Sequence, residues 1–375
     1  MNRSRLLLLL VGVMAMFQLP SQSASIHFRL NQAGYLPQDN KKILVLTDYQ
    51  PEGDFALINL GTGKAVLLNR PQPVTATTWG PFKHGFEIDL SNISTPGTYR
   101  IQWDGRHSTP FKIHPYSYRG MPDTLLTFMR QQRCGYNPFL DVACHQQDGR
   151  SFYGPMPDSS FVDVSGGWHD AGDPLKYLLT SSFATAALLY AHELYPPAFG
   201  DARHALGQPG ANGLPDVLDE ARWGLDWLHK MHPAPGQLFH QVADDRDHVG
   251  WKWPHKDPSN FGWGPNSYRA AYFADGKPQG LGKYPSEATG IGNLAGRTAA
   301  AMAIGYRVLL RQEGQQAYAA SCLEAARDLF QMGREKEGFQ QGNSVGAPYR
   351  YTEDSWADDM EWGAAELYSA TGEKD

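Results

Sequence analysis

A chain of 375 residues is long enough for two or three domains of about 150 residues each. Its 41% hydrophobic and 19% charged residues are typical of a globular protein and exclude a disordered or collagen-like chain. A net charge of −6 without a long basic run excludes a protein that binds nucleic acid by neutralising phosphates.

The N-terminal segment, residues 1–24, is typical of a secretory signal peptide. Arg3 and Arg5 form a basic start, and residues 6–17 form an apolar stretch that is too short to span a bilayer. Small residues ending at Ala24 offer a cleavage site. A membrane anchor is the alternative, which the short apolar stretch disfavours. We therefore predict an exported protein, secreted or periplasmic, that does not act on a membrane.

Residues 25–114 predict a small β-sandwich of immunoglobulin-like size. Short β-rich runs alternate with turn sequences such as GTGK, STPG and WDGRHS. The strand candidates are KKILVLTD, FALINL, GFEIDL, GTYRIQW and PFKIH. The Cys–Trp–Cys pattern of antibody domains is absent, so the prediction depends on the number of strands.

Residues 115–375 are mainly helical in pattern. Between Leu214 and Leu228, apolar residues recur at spacings of three and four, and Pro215 followed by acids is typical of a helix start. The six helical segments are DTLLTFMRQQR, LKYLLTSSFATAALLYAHELY, LPDVLDEARWGLDWLHKM, LAGRTAAAMAIGYRVLLRQ, QAYAASCLEAARDLFQMG and WADDMEWGAAELYSATG. Long loops rich in Gly, Pro and Trp separate them, which indicates a helical array with its functional residues in the loops.

The motif GGWHDAGDPLKY at residues 166–177 resembles the signature of glycoside hydrolase family 9, the inverting cellulases. FRLNQAGYLP at residues 28–37 is similar to the opening strand of the immunoglobulin-like module that precedes many of their catalytic domains. Further segments are similar in family order, namely NGLPDVLDEARWGLDWLHKM, QVADDRDHVGWKWP, LAGRTAAAMA and DMEWGAAELYSATGE. The resemblance implies a multidomain protein, in which an immunoglobulin-like β-sandwich precedes an incomplete all-α (α/α)6 toroid with a substrate groove.

The resemblance also implies a monomeric enzyme that cleaves the β-1,4-glucosidic bonds of cellulose or a related β-glucan with inversion. In such an enzyme one acid protonates the leaving oxygen and a carboxylate activates water, with roughly 6.5–9.5 Å between them. By resemblance Asp173 is the base and Asp170 helps to hold the water. The structural alternative is an Asx-turn, or an N-cap formed by Asp173 and Pro174 before a helix that begins near Leu175.

Two cysteines and two histidines offer a metal site. Cys134, Cys144, His145 and His169 have the donor atoms of a tetrahedral zinc set, and the resemblance implies such a structural zinc beside the active-site loop. The alternatives are a Cys134–Cys144 disulfide, which export would permit, and a His169 that only hydrogen-bonds within the loop. The third cysteine, Cys322, lies among Ala and Leu in a helical segment and is expected to be a buried small residue.

Two other groups of residues are candidates for binding. Asp354, Ser355, Asp358 and Asp359 match the family's calcium ligands by resemblance, and calcium prefers clustered oxygen donors; the alternative is acids favoured by the dipole at a helix N-terminus. Trp251, Trp253 and Trp263 lie in loops and could stack on glucose rings along a groove. Their alternative is ordinary loop packing.

The sequence departs from the family at the general acid. Family members carry this Glu far downstream in an Asn-Glu pair, and Asn-Glu does not occur in this sequence. We therefore expect the chain as written to be the N-terminal part of such an enzyme and not to hydrolyse cellulose. The remaining alternatives are an inactive glucan-binding fragment and an exo-acting glucosidase or glucosaminidase.

Overall fold

The computed structural model describes residues 25–74 and 79–374. The predicted signal peptide, residues 1–24, lies outside these described residues. The chain divides into two compact units between Arg119 and Gly120. Within the described ranges, no helix is both long and apolar enough to cross a membrane.

The first unit consists of two antiparallel sheets. Its strands are β1 (Ile26–Arg29), β2 (Lys42–Thr47), β3 (Phe55–Asn59), β4 (Lys64–Asn69), β5 (Gln72–Pro73), β6 (His84–Asp89), β7 (Gly97–Trp103), β8 (Arg106–His107) and β9 (Phe111–Ile113). One sheet has the order β1-β2-β6-β5, and the other has the order β4-β3-β7-β8 with β9 also paired to β7. The β-sandwich predicted from the strand runs is confirmed.

The core of this unit follows from alternation along its strands. In β7, Tyr99, Ile101 and Trp103 are buried, whereas Arg100 and Gln102 between them are not. Because successive side chains point to opposite faces of a strand, this period of two places one apolar row in the core. Both sheets contribute residues to a single buried apolar cluster.

The second unit contains the six predicted helices. They are α1 (Met121–Gln132), α2 (Leu178–Leu194), α3 (Asp216–Met231), α4 (Gly292–Leu309), α5 (Gln316–Glu335) and α6 (Ala357–Thr371). The Ala-rich α4 is almost wholly buried and packs against α2, α5 and α6. A Cβ atom on Gly296 of α4 would lie 2.6 Å from the carbonyl oxygen of Asp359 in α6, so the two helices approach at backbone distance.

Six short strands lie among the loops of this unit, and the sequence pattern did not predict them. β10 (Gly135–Asn137) and β11 (Val142–Cys144) form a hairpin. β12 (Arg150–Phe152), β13 (Lys176–Tyr177), β14 (Phe239–Val242) and β15 (Ala270–Phe273) form a sheet in the order β12-β15-β14-β13. This sheet fixes the ends of the loops that carry the candidate site, since β13 directly follows the GGWHDAGDPL segment.

Candidate active site and metal centre

The loop that holds the two predicted acids is closely packed. The Asp170 N–H donates to the Leu175 carbonyl at 2.8 Å and so closes the loop across the second acid. Gly167 adopts φ 72°, and a Cβ atom there would lie 2.7 Å from the Trp227 ring. A side chain at this position would therefore be strained and would clash, which explains one of the glycines that precede the acids.

Asp170 is held through both of its carboxylate oxygens. Its Oδ1 accepts a hydrogen bond from the Thr180 hydroxyl at 2.6 Å, and its Oδ2 accepts one from the Tyr351 hydroxyl at 2.8 Å. Burial raises the pKa of Asp170, the two hydroxyl donors oppose that shift, and the nearby Asp173 adds to it. The orientation of this carboxyl group is fixed by two separate parts of the chain.

Asp173 has one oxygen engaged and one oxygen free. The Nε2–H of His248 donates to Asp173 Oδ2 at 3.0 Å. Asp173 Oδ1 is buried and has no hydrogen-bond partner among the described residues. Helix α2 begins at Leu178 with Tyr177 as its N-cap residue, so the alternative in which Asp173 caps this helix is wrong.

A pocket of about 450 Å³ opens at Asp173. Its lining residues come from three separate parts of the chain: Ala171, Gly172 and Asp173; Asp247, His248, Gly250 and Trp251; and Tyr349. The His248 and Tyr349 rings lie perpendicular to each other with centroids 4.4 Å apart. Sequence reasoning missed Asp247, His248, Tyr349 and Tyr351, and the only available signal was that the first two precede Trp251 in one aromatic loop.

The three predicted stacking tryptophans differ in their surroundings. Trp251 lines the pocket and is 93% exposed, and a Cβ atom on Gly172 would lie 2.2 Å from its ring. Trp253 is also exposed but does not line this pocket. Trp263 is partly buried and packs against Phe152 with ring centroids 6.0 Å apart. The contact with Phe152 favours the packing alternative for Trp263. Trp251 instead has an exposed ring face beside the pocket.

The four predicted zinc ligands converge. One donor atom from each of Cys134, Cys144, His145 and His169 lies within 4.8 Å of all the others, and all four residues are buried. Cys134 Sγ is 3.8 Å from His145 Nδ1, and Cys144 Sγ is 3.8 Å from His169 Nε2. Zinc bonds of about 2.0–2.3 Å in a tetrahedron give donor separations of roughly 3.5–3.8 Å, so the donor set fits zinc. Both cysteines are free, and the disulfide alternative is wrong.

A polar shell surrounds these donors. The other ring nitrogen of His145, Nε2, donates to Asp257 Oδ2 at 3.1 Å, an arrangement that orients metal-binding histidines. Arg269 donates to Asp148 at 2.6 Å, to Cys134 Sγ at 3.8 Å and to the Pro174 carbonyl at 2.6 Å. This guanidinium group therefore connects the cysteine cluster to the residue that follows Asp173.

The predicted calcium residues lie just before helix α6 and in its first turn, and the calcium site stays a prediction. Within the described ranges, the only grouping of three or more His, Cys, Asp or Glu donors is the Cys/His cluster. Asp359 instead pairs with Arg297 at 2.7 Å, and Asp354 and Asp358 are exposed. Ser355 donates to Asp358 at 3.0 Å, as expected for residues that precede and begin helix α6. The ion pair of Asp359 with Arg297 and the acids in the first turn of α6 agree with the helix N-terminus alternative.

Two family models match this chain. The glycosyl hydrolase family 9 model matches residues 118–375, and the model of the cellulase N-terminal Ig-like domain matches residues 23–108. Together they account for the helical unit and for the β-sandwich, and the first alone matches more than half of the chain.

Two curated relatives of this chain are named as endoglucanases. Endoglucanase C of Cellulomonas fimi is 29% identical over 379 residues, which cover 92% of this chain and 32% of that protein. Endoglucanase 19 of Arabidopsis thaliana is 29% identical over 265 residues, which cover 70% of this chain and 37% of that protein. The chain thus spans about a third of the length of these relatives.

Solved structures agree with this placement. A metagenome-derived glycoside hydrolase family 9 endoglucanase superposes with a TM-score of 0.72 at 27% identity, over 93% of this chain and 62% of that one. A Zn-binding triple mutant of another family 9 endoglucanase also superposes with a TM-score of 0.72, at 26% identity, over 90% of this chain and 60% of that one.

Proposed function

The chain belongs to glycosyl hydrolase family 9. We therefore propose that the activity of this protein is the hydrolysis of β-1,4-glucans such as cellulose, with inversion at the anomeric carbon. The observation that carries this proposal is the difference between the two loop acids. Asp170 has both oxygens engaged, whereas Asp173 keeps Oδ1 unpartnered beside the pocket. One acid is thus positioned and the other is available to a reactant.

The two carboxyl groups take different parts in the proposed reaction. Asp173 accepts a proton from the attacking water through Oδ1, while His248 holds Oδ2 and so fixes the direction of the free oxygen. Asp170 helps to hold the water through the lone pairs that Thr180 and Tyr351 leave unused. An inverting reaction also needs an acid on the opposite face of the sugar to protonate the leaving oxygen.

The stereochemistry of the product tests this function. In a form of the enzyme that cleaves cello-oligosaccharides, water activated by Asp173 attacks opposite the leaving group, so the first product detected by proton NMR is expected to be the α-anomer. Mutarotation then produces the β-anomer. A β-anomer that forms first would contradict inversion, and cleavage of α-glucans in preference to β-glucans would contradict the substrate class.

Trp251 is proposed to bind a glucose ring. Because its ring is exposed and lies against the Gly172 backbone, it offers an apolar face to the apolar face of a sugar. We expect Trp251→Ala to weaken the binding of cellohexaose about tenfold, a loss of about 1.4 kcal/mol, as measured by titration calorimetry. Trp263→Ala is the matched control, since it should lower the melting temperature and leave the affinity nearly unchanged. Equal affinities for the wild type and Trp251→Ala would contradict the stacking role.

The Cys/His cluster is proposed as a structural zinc site. Cys134, Cys144, His145 through Nδ1 and His169 through Nε2 would hold the ion. When bound, zinc supplies a cross-link between the β10–β11 hairpin and the acid loop, with four protein ligands and no open position. His169 directly precedes Asp170, so the cross-link would hold the backbone from which the acids project.

Several sequence predictions stay predictions. These are export directed by residues 1–24, the domain limits of 25–114 and 115–375, and a monomeric state. The calcium prediction gains no support from the described residues, because Asp359 is paired with Arg297.

A further inference from the structure

A second buried carboxyl group, that of Asp247, lies in the Asp173 pocket and has no part in the proposed activation of water. Asp247 lines the pocket, and its side chain is fully buried. Neither of its carboxyl oxygens has a hydrogen-bond partner among the described residues. Buried carboxyl groups are normally hydrogen-bonded or paired, because an isolated buried charge is very unfavourable. An unpartnered acid in a pocket therefore needs either a proton or a ligand.

The charged groups around Asp247 are committed elsewhere. Lys252 donates to the backbone carbonyl of Asp247 and pairs through its ammonium group with Asp257 at 3.3 Å. The Arg269 guanidinium donates to Asp148 and to the Pro174 carbonyl. Neither cation donates a hydrogen bond to the Asp247 carboxyl group, so both affect it only through space.

The imidazole ring of His248 lies closer to the Asp173 carboxyl group than to that of Asp247. His248 Nε2 lies 3.8 Å from Asp247 Oδ1 but 3.0 Å from Asp173 Oδ2. The imidazole N–H therefore donates to Asp173 and leaves the Asp247 carboxyl group without a hydrogen bond. Two adjacent carboxylates cannot both ionise without mutual repulsion, so the more deeply buried and less solvated acid keeps its proton.

The direction of the Asp247 pKa agrees with this geometry. Burial raises the pKa to about 7, Arg269 and Lys252 oppose that shift, and the carboxyl groups of Asp173 and Asp257 add to it. The acid is therefore neutral below about pH 7 and becomes charged as the pH rises through that value. Tyr349, on the facing side of the pocket, is a further titratable neighbour, and the charge of Asp173 raises its pKa; it stays neutral over this range.

We propose that Asp247 is a substrate-binding residue that, as the neutral acid, donates a hydrogen bond to a sugar hydroxyl beside Asp173. This inference rests on the proposed β-glucan function. A neutral carboxyl group has one O–H donor and one carbonyl acceptor, which match a sugar hydroxyl that both accepts and donates. An ionised Asp247 could only accept, and it would place a second negative charge beside Asp173.

Two substitutions separate the neutral donor from the charged acid. Asp247→Asn keeps a neutral donor and acceptor of the same shape, whereas Asp247→Ala removes both. Cellohexaose affinity is measured by titration calorimetry at pH 5.5 and pH 8.5 on residues 25–375, with circular dichroism to verify folding. We expect wild-type affinity to fall about tenfold between the two pH values, the size of one good hydrogen bond. Asp247→Asn should bind equally at both, and Asp247→Ala should bind about tenfold more weakly than the wild type at pH 5.5.

The Asn variant also separates the effect of Asp247 from the effect of any other group in the pocket. If the fall in affinity persists in Asp247→Asn, it arises from another group, and the proposal is wrong. Wild-type affinity in Asp247→Ala would equally overturn it, as would a loss in Asp247→Asn at pH 5.5 as large as that in Asp247→Ala.

A ligand-free measurement tests the protonation by itself. Infrared difference spectra between the wild type and Asp247→Asn should show a protonated carboxylic acid at pH 5.5 that disappears by pH 8.5. Absence of this band at pH 5.5 overturns the proposal. If the band is present but the folded wild type binds no cellohexaose, the proposed β-glucan function fails, and the hydroxyl-binding role fails with it. If the wild type binds cellohexaose but the affinities of the Asp247 variants differ from those expected, the role of Asp247 is wrong and the proposed β-glucan function is unaffected.

Discussion

Replacing Asp173 by Asn is expected to lower kcat on soluble cellulose derivatives by about 10²- to 10⁴-fold, the usual contribution of a general base. The substitution preserves the shape of the side chain and its contact with His248, but an amide cannot accept the proton of the attacking water. Substrate affinity should change little, because the lost interaction belongs to the transition state. The measurement is release of reducing ends from carboxymethyl cellulose, in a form of the enzyme that turns this substrate over.

Asp54→Asn provides the matched control for this change. Asp54 is an exposed acid of the β-sandwich unit, and it pairs with the exposed Arg70 at 3.1 Å. The same chemical substitution there should leave kcat within about twofold, since exposed changes of this kind usually have small effects. If Asp173→Asn retained most of the activity, Asp173 would not be the base, and another acid of the pocket would have to take that role.

The helices and the sandwich were predictable because each carries a local periodic signal. In α3 the apolar residues recur at helical spacing, and those same residues, from Val217 to Leu228, are buried. The strands β10 to β15 are two to four residues long, too short for a period of two to appear. They form because loop segments meet in the folded unit, and a single sequence contains no signal for such meetings.

The candidate site likewise contains residues that the sequence predicted and residues that it did not. Asp170, Asp173 and the Cys/His donors were found because they lie in short segments with distinctive chemistry. Tyr351 and Tyr349 reach the acids from a loop about 180 residues downstream, and no spacing rule connects residues so far apart. The pairing of Asp359 with Arg297 of α4 was equally hidden, because the two residues are about 60 positions apart. The calcium site near Asp359 therefore stays a prediction.

The Cys/His cluster and the acid loop form one connected structure, and this determines the expected cost of losing the proposed zinc. His169 belongs to both, and Arg269 links Cys134 to the Pro174 carbonyl. Without the ion, two cysteines and two histidines would stay buried without the charge that stabilises their ligand forms, which is unfavourable. The arrangement therefore predicts that the metal controls stability and the position of the acids together.

Protein purified without chelator is expected to contain one zinc per chain by elemental analysis, and Cys144→Ser is expected to remove it. If zinc is present at about a thousandfold above its dissociation constant, its binding stabilises the folded state by about 4 kcal/mol. For a unit of this size the loss corresponds to a fall in melting temperature of roughly 10 °C. Wild-type protein treated with chelator should show the same fall, and Cys144→Ser should show no further fall with chelator.

Cys322→Ser is the matched control, because Cys322 is a buried cysteine of α5 outside the cluster. It should keep the zinc and the sensitivity to chelator, whatever its own effect on stability. Asp257→Asn grades the effect: it weakens the carboxylate that orients His145 and should lower zinc affinity about 10- to 100-fold without abolishing binding. Purified wild-type protein with no zinc, or equal zinc content in Cys144→Ser and Cys322→Ser, would contradict the site, because the four converging donors would then be an ordinary hydrogen-bonded cluster.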